Sequence, residues 1–302
     1  MNRLFSVLAT IVLLLSARTA SAHISYSNRN LGTFNVVGTL VTGTNNNGTL
    51  TNSGTSATVT ITNQNVAGEF GWAAGTGARF ADTHKLRAFR FTLQTPAIVT
   101  LSVTGLSYVS GQITFTPLDH PGFSLYQGLA HLPPNALDHD QSAISQAWLD
   151  ALVGTGNHDG AFNALGDWRI GSDNPLTPAD LSSFIYVGNA ADGTSANYGS
   201  ASGINGDGNA NGSVTATFFL ATGDYSLFVG GGNYSGTSNS SLGIQTMITV
   251  VPEPSVLGLM GLAALGGLFH LGRKRPLDRE KTDSSRLFRP SQHCEHPILL
   301  RR

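Results

Sequence analysis

Apolar and polar residues alternate along much of this chain, and that alternation confines it to β structure. Val59-Thr60-Ile61-Thr62, Arg87-Ala88-Phe89-Arg90-Phe91-Thr92-Leu93, Ile98-Val99-Thr100-Leu101-Ser102-Val103 and Val214-Thr215-Ala216-Thr217-Phe218-Phe219-Leu220 each send one kind of side chain to each side of an extended backbone. A period of two suits a half-buried strand and does not suit a helix. Glycine (36 residues) and many Ser, Thr and Asn residues accompany these runs; glycine supplies positive φ for tight turns, and Asn and Ser bond their own backbone there. From Ile24 to about Gly75 the strands should have wet outer faces, with Thr44-Asn45-Asn46-Asn47-Gly48 as a turn. Pro121–Gly128 reads as a turn and a strand, and Ile244–Val250 closes the domain. The expectation is a mainly β fold: one antiparallel, jelly-roll-like β-sandwich over residues 23–250.

A short helical insertion is expected at about residues 138–186, lying over a sheet. Asp140 is placed to cap a helix from Gln141 to Val153, with Ile144, Ala147, Trp148, Ala151 and Leu152 on one face. Thr177-Pro178 pairs a capping residue with proline at the first helical position, which predicts a second helix through Phe184. After the insertion, period-two patterning around Gly223-Asp224 predicts sheet from about Ser213 to Val250, with Phe219 and Leu227 buried. The run of an alternating strand, Ala221-Thr222-Gly223-Asp224 and Tyr225-Ser226-Leu227-Phe228-Val229 resembles the final hairpin of bacterial pre-peptidase-type β-sandwich domains.

Charge divides the chain unevenly. Between His23 and Val251, six Lys and Arg face thirteen Asp and Glu, a net charge near -7. An acidic body of this kind repels phosphates and argues against nucleic acid as a partner. From Arg273 to Arg302, nine basic residues face four acidic ones, near +5. The single cysteine, Cys294, allows no internal disulfide, so the domain must stand on burial and hydrogen bonds.

Both ends carry membrane-targeting patterns. Arg3, the apolar stretch Leu4–Leu15 and the small residues Ala20-Ser21-Ala22 form a secretory signal peptide, residues 1–22, cut by signal peptidase to leave His23 first. Near the other end stand Pro252-Glu253-Pro254, then the eighteen uncharged residues Ser255–Gly272, then Arg273-Lys274-Arg275. Proline ends the preceding strand. The apolar run is just long enough for a transmembrane helix, weakened by Gly258, Gly261, Gly266 and Gly267. The basic cluster holds the cytoplasmic side.

This tripartite segment, residues 251–275, resembles the PEP-CTERM sorting signal of Gram-negative bacteria. The resemblance implies recognition and cleavage near the motif by exosortase, a membrane cysteine protease and transpeptidase, after a transient stay in the inner membrane. Release to the cell surface or exopolysaccharide matrix follows, as in biofilm-forming cells. Residues 276–302 continue as a polar, basic tail without periodicity and read as disordered.

Chemistry-bearing motifs are sparse in the body. There is no G-x-S-x-G, H-E-x-x-H or P-loop. Asp207-Gly208-Asn209-Ala210-Asn211-Gly212 copies the opening of a calcium loop, with Asp207, Asn209 and Asn211 as oxygen ligands. The twelfth position, where a bidentate Glu belongs, is Phe218. An Asn- and Gly-rich turn has the same pattern. Asp119-His120, Asp138-His139-Asp140 and His158-Asp159 offer metal-binding side chains at no compact spacing. Asp167-Trp168 and Asp173-Asn174 sit in a Gly-rich stretch, and Trp72, Trp148 or Trp168 would stack on a sugar if exposed.

The sequence therefore predicts a non-enzymatic surface or matrix protein with a structural or adhesive role, needing no cofactor and meeting exopolysaccharide. A carbohydrate- or calcium-binding module is the alternative, and a secreted hydrolase a more distant one.

Overall fold

The computed structural model describes residues 24–253 except 36–39, 43–47, 54–55, 74–79, 131–141, 157, 159, 171–178, 180, 237 and 239. The signal peptide, the apolar run, the basic cluster and the tail lie outside the described residues, as do Thr44–Asn47 and Thr177-Pro178.

The fold is mainly β. The strands are β1 (Asn30–Phe34), β2 (Leu40–Thr42), β3 (Gly48–Ser53), β4 (Ser56–Ala67), β5 (Phe80–Asp82), β6 (Arg87–Leu93), β7 (Ala97–Gly105), β8 (Tyr108–Ser110), β9 (Ile113–Pro117), β10 (Pro121–Gln127), β11 (Ala161–Asn163), β12 (Trp168–Ile170), β13 (Ser182–Ala191), β14 (Ser213–Leu220), β15 (Gly223–Gly231) and β16 (Ser241–Pro252), with helix α1 at Ala143–Val153. The first sheet has the order β12-β13-β10-β15-β6-β1-β2. The second runs β14-β7-β16-β4-β3 and takes up the β8–β9 hairpin through β9 and β16. Strands β5 and β11 form a separate pair. Among the described strand pairs only β1–β6 and β9–β16 are parallel.

The two large sheets pack face to face because one side of each is apolar. Val99, Leu101 and Val103 of β7, Ile248 and Val250 of β16, and Val59 and Ile61 of β4 meet Phe89, Phe91 and Leu93 of β6, Phe123 and Leu125 of β10, and Leu227 and Val229 of β15. Alternation sends Thr100, Ser102 and Thr104 outward from the same strand. A bulge resets the phase of β4: Asn63 has φ 56°, the register slips opposite Ile244–Thr246, and Gln64 and Val66 turn inward after it.

A second core lies on the other side of the first sheet. Phe228 of β15, Tyr126 of β10 and Phe184 of β13 pack with Trp72, Phe162 of β11, Trp168 of β12 and Leu149 of α1. Residues Tyr225–Gly231 are consequently all buried, because the described parts of 142–170 together with Trp72, Leu86 and Glu69 cover this face. Trp72 lies flat on β10, where a Cβ on Gly122 would stand 2.3 Å from its ring. Its indole N–H donates to Ser124 Oγ at 2.9 Å, and that hydroxyl donates to the Ala164 carbonyl. Tyr26 joins the same core through a chain of bonds. Ala130 N–H donates to its oxygen, its hydroxyl donates to Ser226 Oγ at 2.6 Å, and Ser226 donates to the Gly128 carbonyl.

Several expectations need correction. Helix α1 is capped by Ser142, whose Oγ accepts from Ser145 N–H at 3.1 Å; Asp140 is outside the described residues. The buried ridge is Ser145 and Leu149, with Trp148 packed 5.1 Å from Trp168, while Ala147, Ala151 and Leu152 face solvent. The helix reaches the aromatic cluster along that ridge only. The second helix cannot extend through Phe184, because Ser182–Phe184 pair with β12 at the start of β13. Among its described residues the insertion is thus a mixed layer of one helix and short strands. Leu227 is buried, but Phe219 is 62% exposed. Of two adjacent phenylalanines only one can face inward, and Phe218 takes that side, against Phe123. Finally, β14 and β15 form no hairpin: β14 pairs with β7, and β15 with β10 and β6, so Ala221-Thr222 crosses between sheets.

Burial of Tyr26 sets an alkaline limit on this fold. Burial first, opposed by its hydrogen bonds, pushes the phenol up from 10 to about 12; burial raises Tyr126 as well. Between those values the folded state holds a proton that the unfolded chain has lost. The stability that Tyr26 contributes is therefore full below pH 10 and falls through the window to pH 12, by about 1.4 kcal/mol per pH unit. Tyrosinate absorbance rising together with loss of far-ultraviolet ellipticity, at one apparent pH, is the expected observation.

Candidate functional site

Strand β16 delivers the chain to the sorting segment. Its last register pairs are Val251 with Ile98 and Pro252 with Ala97, both on β7. Pro252 has no N–H to extend the ladder, and Glu253 follows it exposed to solvent. Ala20, Ala22, His23, Pro254, Arg273, Lys274 and Arg275 lie outside the described residues. Among the described residues no helix is long and apolar enough to cross a membrane.

The loop at Asp207 is organised by its own backbone. Asp207 Oδ1 accepts from Gly193 N–H at 3.1 Å and Asn209 N–H at 2.9 Å. Asn209 Nδ2 donates to the Asp207 carbonyl at 3.4 Å, and Asn211 Oδ1 accepts from Ser213 N–H at 3.0 Å. These are local side-chain turns of the kind Asp and Asn favour. Among the described residues no three His, Cys, Asp or Glu side chains are grouped to hold a metal ion.

Sequence reasoning missed Asp192, the residue that holds this loop to the fold. It directly follows β13, is 0% exposed, and accepts from Asn211 N–H at 2.9 Å and Gly212 N–H at 3.1 Å, one on each carboxylate oxygen. The nineteen residues separating it from Asn211 hide that role; only its place in Asp192-Gly193, after an apolar strand, hinted at a turn. Tyr198 lies alongside, its hydroxyl 3.3 Å from the Ala191 carbonyl. Burial, then the Asp207 and Asp192 carboxylates, push it up to about 12. Replacing Asp192 with Ala strands two N–H groups, and an expected cost is about 2–4 kcal/mol. Urea unfolding of Asp192→Ala against Asp192→Asn measures it, the Asn variant losing less.

The remaining candidates do not converge. His120 Nε2 lies 3.3 Å from Asn197 Nδ2, and the exposed Asp119 beside it borders an open cleft of about 460 Å³ with Leu118, Asn211 and Gly212. His158 bonds Asp150 at 2.8 Å. Asp138, His139, Asp159, Asp173 and Asn174 lie outside the described residues. Asp167 Oδ1 accepts from Tyr186 N–H at 2.7 Å. Trp72 and Trp168 are buried and Trp148 is partly covered, so the first two are core residues and no sugar platform.

The outer side of the second sheet carries rows of hydroxyls. Thr58 bonds Thr249 at 2.9 Å, Thr100 bonds Thr217 at 2.9 Å, Ser102 bonds Thr215 at 2.7 Å and Thr104 bonds Ser213 at 2.8 Å. Each pair joins neighbouring strands, the usual unit of side-chain stabilisation in a sheet.

Residues 250–275 match the family model described as the PEP-CTERM protein-sorting motif. The chain carries a PEP-CTERM sorting motif. The match begins at Val250, the last core residue of β16, and takes in Pro252-Glu253-Pro254, the apolar run and Arg273-Lys274-Arg275. A PEP-CTERM motif implies export, membrane-associated sorting and processing by exosortase. No curated protein matches the chain by sequence. Among solved structures it is similar to CorA, a surface-associated copper-binding protein of Methylomicrobium album BG8, at 15% identity and a TM-score of 0.41 over 64% of this chain and 91% of that one. It is also similar to the copper-binding secreted protein MopE of Methylococcus capsulatus, at 16% identity and a TM-score of 0.36 over 65% and 84%.

Proposed function

We propose that this protein is a non-enzymatic component of the cell surface or exopolysaccharide matrix of a Gram-negative bacterium, released there by exosortase. A β-sandwich fixed by two cores serves as its structural or adhesive body. The observation that carries the reading is the junction at β16: the sheet ends at Pro252, and the first acidic residue of the motif stands in solvent directly after it. A cleavage there leaves both cores intact, since the last core residue is Val250. The hydroxyl rows on the outer side of the second sheet supply an uncharged, hydrogen-bonding face suited to a polyhydroxylated matrix. The test compares the protein's size and location in cells with and without exosortase. Shortened protein outside the membrane in the first, and full-length protein in the membrane in the second, is the expected pair. Full-length membrane-bound protein in both overturns the reading.

A further inference from the structure

Three apolar side chains stand in one row across the outer side of the second sheet. Phe219 of β14 is opposite Ile98 of β7, and Ile98 is opposite Val251 of β16. Their neighbours Phe218, Val99 and Val250 point into or pack against the core, so all three project outward together, at 62%, 43% and 37% exposure. Elsewhere on that side the outward positions of β7 and β14 are Ser and Thr. An exposed cross-strand row of Phe, Ile and Val is costly to hydrate and needs a reason.

Its position gives one. Val251 immediately precedes Pro252-Glu253-Pro254, and the apolar run starts at Ser255. Four extended Cα steps span at most about 14 Å. While the apolar run is in the bilayer, the covalent chain therefore holds this row within reach of the lipid interface. The connections at the same end of the sheets, Gln94-Thr95-Pro96 and Ala221-Thr222, carry no charge; the one exposed carboxylate beside them among the described residues, Asp224, lies on the first sheet and accepts from the Thr92 hydroxyl. The acidic body would repel an anionic surface from a distance, but a three-residue tether raises the effective concentration enough to offset a screened repulsion.

We propose that Phe219, Ile98 and Val251 form a membrane-resting edge that seats the domain on the bilayer surface before cleavage. It orients β16 toward the interface and presents Glu253 at headgroup level. Aromatic and aliphatic side chains enter the interfacial region readily, and the hydroxyl row behind them suits the headgroups. This inference rests on the sorting reading, because it needs the apolar run inserted.

The test uses the full chain reconstituted in phosphatidylethanolamine–phosphatidylglycerol vesicles, with or without brominated acyl chains. Phe219→Trp places a fluorophore in the row; Ile113→Trp places one on β9, at a site 62% exposed. Strand β9 joins β16 at Leu242 and Gly243, about 25 Å along the strand from Val251. Loss of emission in brominated vesicles is expected for Phe219→Trp and not for Ile113→Trp, after subtraction of the wild-type signal. Ile98→Trp repeats the measurement from the next strand should the first variant not fold. Resistance to carbonate extraction reports helix insertion separately. An inserted chain whose Phe219→Trp and Ile98→Trp reporters keep full emission, or are quenched no more than Ile113→Trp, overturns the resting edge alone. A wild-type chain that carbonate extracts overturns the sorting reading and the edge with it.

Discussion

Phe228→Ala should destabilise the domain by about 3–5 kcal/mol, the range for emptying a buried aromatic site. Phe228 is 1% exposed, and its ring lies 4.3 Å from Phe162, 5.5 Å from Phe184 and 5.7 Å from Tyr126. Its removal takes a partner from three rings that come from three different strands, so the site cannot close by moving one side chain. Domains of this kind are stable by only about 5–15 kcal/mol, and the loss should lower Tm by roughly 10 °C. Phe219→Ser is the matching control: on the outer side of the second sheet it should change stability by no more than about 0.5 kcal/mol. Calorimetry on the two variants tests the architecture. A two-layer fold with the 142–170 segment as a loose excursion would leave Phe228 wet and make the two substitutions alike.

That contrast marks how far the sequence could be read. The half-buried strands were legible because their environment differs on their two sides; β7 shows it plainly, with Ala97, Val99, Leu101 and Val103 inside and Thr100 to Thr104 alternating outside. Period two fails where both sides are buried. In β15, Phe228 belongs to one core, with Ser226 bonded to Tyr26 on the same side, and Leu227 and Val229 belong to another, and only the tertiary roof over the first sheet makes that so. At Phe218-Phe219 both phases fit the pattern, and the choice came from packing against Phe123 on β10, nearly a hundred positions away. The Asp207 loop was ambiguous for a different reason. Calcium loops and backbone-bonded turns use the same residues, Asp, Asn and Gly, for the same geometric freedom. What separates them is the direction of the oxygens, and here Asp207 and Asn211 accept from backbone N–H groups. Asp192 was invisible because its partners are distant in sequence. The sorting motif was fully legible, being a linear signal that a membrane enzyme reads along the chain.

Substitutions in that linear signal should have effects near all-or-none. In cells with exosortase, wild-type protein is expected to leave the membrane without Ser255–Arg302. Glu253→Ala, or alanine at both Pro252 and Pro254, should leave full-length protein membrane-bound, with the apolar run still inserted. The physical basis is depth. A charged residue at the bilayer centre costs roughly 2.5–3.5 kcal/mol, so under the proposed sorting Glu253 should stay at the outer interface, where a membrane protease can reach it, and Arg273-Lys274-Arg275 should stay inside. Pro252 is the last paired residue of β16 and has no N–H to carry the ladder on to Glu253. The eighteen-residue run barely spans the hydrocarbon core and carries four helix-weakening glycines, so its insertion depends heavily on the basic cluster. Replacing that cluster with Asn should therefore produce a different failure from Glu253→Ala: mixed orientations and protein extractable with carbonate, in place of a uniformly inserted, uncut chain. Pulse–chase of the three variants with fractionation separates these outcomes. If Glu253→Ala is processed at the wild-type rate, Glu253 is not part of what the enzyme reads; full-length wild-type protein held in the membrane with and without exosortase would leave the apolar run as an anchor alone.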